Sequence, residues 1–330
     1  MSILNPWTPL HAQLHRTLRQ RQLLPRGGRL LLAVSGGQDS LCLLKLLIDL
    51  QPKWDWDLAV AHCDHRWQYD TGIAAHVQQI VASWQIPFYL ETATEVSESE
   101  GAARQWRYQA LSAISCREKY QYVVTAHTQS DRAETLLYNL FRGTGADGLG
   151  AIAWQRELVP GVQLVRPLLE ISRSTTGQFC RDFQLPVWED VYNQDFKYAR
   201  NRIRQELLPY LQTHFNPQVD RNLAQTAELL RADVDYLEQQ ASQLLAAISS
   251  PEPPAGLNRR LLSAAPLAIQ RRAVRQFLKL HLAQAPNFAQ IEKFLALINA
   301  PQNSRSDPFS GKVTAQVQGD WIVLPEITKD

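Results

Sequence analysis

No apolar run in this chain of 330 residues reaches the roughly 18 residues that a membrane-spanning helix needs. The opening MSILNPWTPLHAQLHR lacks the basic-then-apolar layout of a secretory signal. Cysteine is scarce and scattered: Cys42, Cys63, Cys116 and Cys180 include no C-x-x-C pair, so a disulfide scaffold, a structural zinc site and a local redox dithiol all lose support. No repeat of fixed period and no long low-complexity tract is present. A dominant charge is missing too, because a formal net charge of +2 is too small to identify a partner. These absences predict a reduced, cytoplasmic protein without membrane contact. The 45% hydrophobic and 20% charged residues that remain are the balance of a folded protein, not a disordered one. Single cores stop growing near about 250–300 residues, so two domains are expected.

Up to about residue 190, short apolar runs alternate with longer amphipathic segments. The runs are residues 30–34, 58–62, 87–90, 122–126 and 162–165. Between them Ile73, Val77, Ile80, Val81 and Trp84 recur at helical spacing, as do Leu136, Leu137, Leu140 and Phe141. Strand and helix taking turns predicts an α/β fold, a parallel sheet covered on both faces. An opening helix is expected as well, with Thr8 as cap, Pro9 in its first turn and Leu10, Leu14 and Leu18 in one stripe. Past Pro186 the text becomes helical over 223–245, 266–282 and 289–298, broken by the loop SSPEPPAG at 249–256. The alternation Val313, Ala315, Val317, then Gly319-Asp320 and residues 321–324, reads as a hairpin. The expected division is 1–215 for a catalytic α/β domain and 216–330 for a smaller, mainly helical one.

The sharpest local signal is LLLAVSGGQDSLCLLKLL at 30–47. A buried strand runs into Ser35-Gly36-Gly37-Gln38-Asp39-Ser40, and a helix starts near Asp39. Paired glycines allow close backbone approach, the helix start offers unpaired N–H groups, and two serines add hydroxyls, which together make a phosphate cradle. Neither the Walker A pattern nor G-x-G-x-x-G is present. Asp39 would repel phosphate unless its carboxylate holds Mg²⁺, which bridges to phosphate oxygens. The structural alternative is that Asp39 caps the helix.

Other polar clusters fall where strands end. His62-Cys63-Asp64-His65 follows the second run, where parallel sheets place their ligands. Arg104 and Arg107 share a helix face and suit phosphate or carboxylate, while Trp106 falls on another stripe. His127, Asp131 and Glu134 occupy i, i+4 and i+7, one face if His127 begins the helix. Arg200 and Arg204 lie one turn apart with Arg202 on another face. Simpler roles compete for each: a hydrogen-bonded histidine, a solvated basic face, dipole partners at a helix start.

The hexapeptide 35–40 resembles the PP-loop of the N-type ATP pyrophosphatases, which split ATP into AMP and pyrophosphate while adenylating a substrate. That loop alone is shared by enzymes making GMP, NAD, asparagine and argininosuccinate and by tRNA thiolases. The ordered set over about 28–210 is more specific, above all Glu189-Asp190, Asn193 and the block Arg200-Asn201-Arg202-Ile203-Arg204 with Leu207-Leu208-Pro209. It is similar to the tRNA(Ile)-lysidine synthase family. The resemblance implies ATP and Mg²⁺ held at residues 35–40 with Asp39 on the metal, and a tRNA(Ile) with a CAU anticodon and L-lysine as partners. It implies that the wobble cytidine is adenylated and that the ε-amino group of lysine then displaces AMP. Asp39, His62, Asp131 and Glu134 are the catalytic candidates; Arg104, Arg107, His127, Arg200, Arg202 and Arg204 are substrate-binding ones. Many family members carry His-His-x-Asp-Asp-x-x-Glu-Thr where this chain has Thr128 and Ser130 in place of the second His and first Asp. The chain has room for one appended domain, where some members carry two.

Lysine must attack as a neutral amine, although its ordinary pKa is about 10.4. Glu134, Asp131 and His62 are the candidate helpers, and the sequence does not choose among them. For tRNA contact, residues 255–293 gather seven cations against Glu292 alone, with Arg271, Arg272 and Arg275 the favoured contacts. A homodimer stays open. The rivals are a PP-loop tRNA thiolase, whose usual cysteine pairs are missing, another ATP-pyrophosphatase-type ligase acting on a small metabolite, and a non-enzymatic tRNA-binding module, which leaves Asp39 unexplained.

Overall fold

In the computed structural model, which describes residues 7–66, 71–95, 99–188, 199–251, 254–309 and 313–324, the five apolar runs become parallel strands. In chain order the first part is α1 (Pro9–Gln20), β1 (Arg29–Ala33), α2 (Gln38–Trp54), β2 (Asp57–Asp64), α3 (Ile73–Ser83), β3 (Phe88–Thr92), α4 (Glu100–Glu118), β4 (Tyr122–Val124) and α5 (Gln129–Phe141). The short α6 (Ala146–Leu149), β5 (Gln155–Val159), β6 (Val162–Val165), α7 (Arg173–Asp182), α8 (Ala199–Arg202), a π-helical turn at Ile203–Leu207, α9 (Leu208–His214) and α10 (Val219–Ile248) follow. Thr8 caps α1 in a capping box with His11, and Pro9 occupies its first turn, as expected.

The sheet order is β3-β2-β1-β4-β6-β5, parallel except for the β5–β6 pair. Alternate residues of one apolar run serve opposite faces: Leu30 and Leu32 pack with α1 and α2, while Leu31 packs with Leu111 and Ile114 of α4. Burial on both faces explains why these strands read as continuous rather than alternating hydrophobics. Strand β5, sequence QRELV, is an edge strand with its first three residues exposed, and no apolar run announces it.

Contacts divide the chain into two compact units, Met1–Arg231 and Ala232–Asp330, the division falling within α10. In the second unit β7 (Gly256–Asn258), α11 (Arg259–Ser263), α12 (Leu267–His281), α13 (Phe288–Leu295), β8 (Gln316–Gln318) and β9 (Trp321–Val323) follow one another. The expected hairpin β8–β9 extends to an antiparallel sheet β7-β9-β8. Val274, Phe277 and Phe294 of the helices pack on Leu257, Val317 and Ile322 of this sheet. Among the described residues no helix is long and apolar enough to cross a membrane.

Candidate active site

From β1 the chain moves outward to β2 and β3, then returns to place β4 on the other side of β1. That reversal opens a crevice at the carboxyl ends of β1 and β4, where doubly wound sheets bind ligands. The β1 loop enters it first. Gly36 has φ +89, and a Cβ there would sit 3.1 Å from Ile73 Cγ1 and 3.2 Å from Val77 Cγ2, so conformation and packing both demand glycine. Helix α2 then begins at Gln38 with Gly37 as N-cap and no side chain on its first amides. Asp39 therefore does not cap the helix, and the open amides remain available to an anion. Ser40 Oγ donates to the Gly37 carbonyl at 2.8 Å and Ser35 Oγ to Ser40 Oγ at 3.3 Å, bracing the turn.

Asp39 is tied to α7. It accepts from the Thr176 hydroxyl, and Arg173 Nε lies 3.7 Å away. Gln38 Nε2 donates to the Arg173 carbonyl at 2.8 Å. Burial pushes the Asp39 carboxyl above the usual carboxylate range, against the pull of Arg173 and the Thr176 hydroxyl. Arg173 and Thr176 are site residues that the sequence reading missed; Ser172, which caps α7, shows there only as one more residue of a polar helix start.

At the end of β2, His62 is buried, and its Nδ1 lies 2.8 Å from the Val34 carbonyl. A carbonyl only accepts, so Nδ1 carries the proton and Nε2 keeps a lone pair, which has no hydrogen-bond partner among the described residues. Burial lowers the pKa of His62 and holds the ring neutral. His65 is pushed down to about 4 by burial, then by Arg107 and His62, and meets Trp106 edge-on at 4.8 Å.

Helix α5 begins two residues later than the spacing argument requires, at Gln129. Thr128 is its N-cap, so His127 lies outside the helix, and the three-residue face does not form in that way. The Thr128 N–H and hydroxyl donate to Asp131 Oδ2 at 2.7 and 2.8 Å, a capping box that the pattern Thr-x-x-Asp announces. Thr128 thus fixes Asp131. Ser130 Oγ accepts from the Arg173 N–H at 3.4 Å. Burial opposes the charge on Asp131, but the Thr128 amide and hydroxyl and the Arg204 guanidinium together hold its pKa low. Burial and neighbouring arginines keep His127 neutral. Glu134, 3% exposed, receives Arg204 at both oxygens, 2.7 and 2.8 Å. Burial still leaves the Glu134 pKa raised.

One cavity of about 710 Å³ collects these groups. Ser35, Gly37, Gln38, Asp39 and Ser40 line it on one side, with His62, Arg104 and Arg107 beside them. His127, Asp131, Glu134, Arg173, Arg200 and Arg204 complete it, together with Tyr108 and Asn201, which the sequence reading left unassigned. Gly36 is buried beneath the loop and Arg202 is exposed; neither lines the cavity. Glu189, Asp190 and Asn193 lie outside the described residues. In the second unit the basic segment is less open than its charge count implies. Glu238 of α10, outside the counted window, takes both Arg272 and Arg275, the latter at 2.5 Å. Arg271 pairs with Glu292 at 2.8 Å and lies over the Phe288 ring at 5.4 Å.

Residues 9–211 match a family described as PP-loop domain, and residues 257–315 match one described as TilS substrate binding domain. A doubly wound sheet with this loop at its switch point defines an ATP-using PP-loop enzyme. The chain is 60% identical to a tRNA(Ile)-lysidine synthase of a Nostoc species, over 96% of this chain and 97% of that protein. It is 52% identical to one of a Synechocystis species, over 96% and 97%. The chain belongs to the tRNA(Ile)-lysidine synthase family. Among solved structures, a U34-tRNA thiolase from Methanococcus maripaludis aligns over 67% of this chain and 77% of its own, with TM-score 0.56 and 17% identity, a likeness of fold.

Proposed function

We propose that this enzyme ligates L-lysine to the wobble cytidine of tRNA(Ile) bearing a CAU anticodon, through an adenylated cytidine, releasing pyrophosphate and then AMP. The observation that carries the reading is the single cavity joining the uncapped start of α2 with Asp39, the carboxylates of α5 and a set of arginines. The cavity's volume, about 710 Å³, lies within the usual range of about 300–1,000 Å³ for ligand sites.

The α2 amides and Ser35 bind the phosphates, and Arg173 offsets their charge. Among the described residues no group of three or more His, Cys, Asp and Glu is placed to hold a metal ion. A magnesium ion arriving on a nucleotide asks for only one or two carboxylates, and Asp39 in the cavity wall fits that need. Mg²⁺ held there supplies charge neutralisation at the phosphate oxygens. Cytosine O2 becomes a good leaving group once it carries AMP. Lysine then has to be neutral at Nζ, and Arg104, Arg107, Arg173 and Arg200 in the same cavity disfavour its ammonium form by like charge. Of the three candidate helpers, Asp131 is engaged by Thr128 and Glu134 by Arg204. His62 Nε2, buried and without a hydrogen-bond partner among the described residues, is the remaining acceptor, and we assign it the proton from lysine Nζ.

The deciding assay incubates the protein with ATP, labelled lysine and a CAU-anticodon isoleucine tRNA transcript. Label in the RNA, with AMP formed in step, supports the reading; AMP formation without labelled RNA removes it.

A further inference from the structure

This inference rests on the reading above, in which the wobble base enters the cavity. On α5, Asp131, Glu134 and Thr135 line that cavity. Tyr138 follows Glu134 by about one turn, about 6 Å along the axis, and Arg142 follows four residues later as the C-cap. One stripe of α5 therefore leads from the reaction centre to the surface. The guanidinium carbon of Arg142 lies 5.3 Å from the Tyr138 ring centroid and that of Arg200 lies 5.6 Å from it. Arg200 also lines the cavity, so the Tyr138 ring lies against a residue of the cavity wall. Beside them Phe141 is 62% exposed and Leu140 48% exposed. Arg142 is exposed, and among the described residues it has no acidic partner.

Arg142 holds an uncompensated charge beside a half-buried ring, and a ligand offering both negative charge and flat π-faces answers the two together. Unpaired RNA does so. A base turned into the cavity leaves its loop neighbour with one uncovered face, and stacking on aromatic rings or arginine planes is how proteins cover such faces. We infer that Tyr138, flanked by Arg142 and Arg200, is the stacking platform for the anticodon-loop base next to the one that enters the cavity, with Arg142 on the adjoining phosphate.

The test uses the full-length protein and an anticodon stem–loop RNA carrying 2-aminopurine immediately 3′ of the wobble cytidine. The wild-type protein and Tyr138→Phe should quench the probe on binding. Tyr138→Leu should abolish the quench and raise the Kd for the hairpin at least about fivefold, the low end of what one lost base stack costs. ATP affinity should stay unchanged, and lysidine formation at saturating RNA should persist. Arg142→Glu, at an exposed position, should also raise the Kd and serves where Tyr138→Leu does not fold. A wild-type quench and Kd in both variants would overturn the platform. Loss of thermal stability in Tyr138→Leu with unchanged RNA binding would overturn it too, leaving the ring a brace between α5 and α8. Absence of lysidine from the wild-type assay would instead remove the functional reading on which the platform rests.

Discussion

Arg204 closes both carboxylate oxygens of Glu134, Nε on one at 2.7 Å and Nη2 on the other at 2.8 Å. The pair joins α5 to the π-helical turn at Ile203–Leu207, and Arg204 also reaches Asp131 at 3.5 Å. One guanidinium thus orders two acids of the cavity wall. Removing it strands Glu134 as a buried, unpaired charge, which costs more than the pair itself contributes. Arg204→Met should lower unfolding free energy by about 3 kcal/mol. Glu134→Gln should cost less, because its amide oxygen still accepts from Arg204 and Arg204 keeps Asp131, at 3.5 Å, as an ionic partner. Denaturant titrations of both variants and of Arg204→Met/Glu134→Leu check this. The double variant should recover most of the loss, and equal losses in all three would contradict the stranded-charge account.

Nucleotide binding is expected to divide between Asp39 and Arg173. Asp39→Asn keeps an oxygen for the Thr176 hydroxyl and loses the charge for magnesium, so it should fold normally and abolish tRNA-dependent ATP–pyrophosphate exchange. Arg173→Gln should weaken ATP binding tenfold or so, about 1.4 kcal/mol, while leaving AMP affinity nearly unchanged. Calorimetric titration with both nucleotides separates a phosphate contact from a general disturbance of α7. Equal loss for ATP and AMP would point to the disturbance.

Much of this site is legible because buried parallel strands write themselves as unbroken apolar runs, and because a glycine pair between such a run and a helix has few other uses. The sequence alone therefore places residues 35–40 at a strand end. Strand β5 was not legible, since an edge strand with solvent on one side needs no apolar run. Arg173 and Thr176 act on Asp39 across more than 130 positions, a juxtaposition that only the α2–α7 packing creates. Glu238 escaped a local charge count for the same reason, reaching Arg272 and Arg275 from another helix. The displaced start of α5 is different: Thr128-x-x-Asp131 was in plain view as a capping signature, and a regular i, i+4, i+7 spacing concealed it.

His62 separates the two chemical steps. If its Nε2 takes the lysine proton, His62→Gln should leave tRNA-dependent ATP–pyrophosphate exchange near the wild-type rate. Lysine transfer should fall by about a hundredfold, the lower range for loss of a general base. A single-turnover chase of the adenylated tRNA with lysine reads the second step directly. Parallel loss in both steps would assign the ring to packing around Val34 instead.

Stability should also report on His65. Its folded pKa, about 4, lies below the ordinary value of 6.5, so the folded state favours the neutral ring. The stabilisation is complete above about pH 6.5 and drains away as pH falls toward about 4. His65→Gln cannot titrate. Its unfolding free energy relative to wild type should therefore improve between pH 7 and pH 4 by an amount on the order of 2 kcal/mol. The difference between variant and wild type is the measure, because protonation of Asp131, held low in the fold, tilts both curves the same way. A difference that does not change with pH would mean the ring stays solvated.

In the second unit the three arginines should part company. Arg272 and Arg275 share Glu238, so Arg272→Glu sets two carboxylates against each other and should lower the melting temperature, whatever it does to RNA. Arg271 is different: its partner Glu292 is 38% exposed at the side chain, and the adjacent Phe288 is 67% exposed, a cation and an open ring on one face. A half-exposed ion pair of this kind contributes little to folding, about 0–1 kcal/mol. Arg271→Glu should therefore keep its melting temperature within a few degrees while raising the KM for tRNA, and that increase should shrink as salt rises, since phosphate contacts are screened. Steady-state kinetics at low and high ionic strength read the effect. An unchanged KM at low salt would remove Arg271 from the RNA-binding surface and leave the positive charge of residues 255–293 as a solvated face.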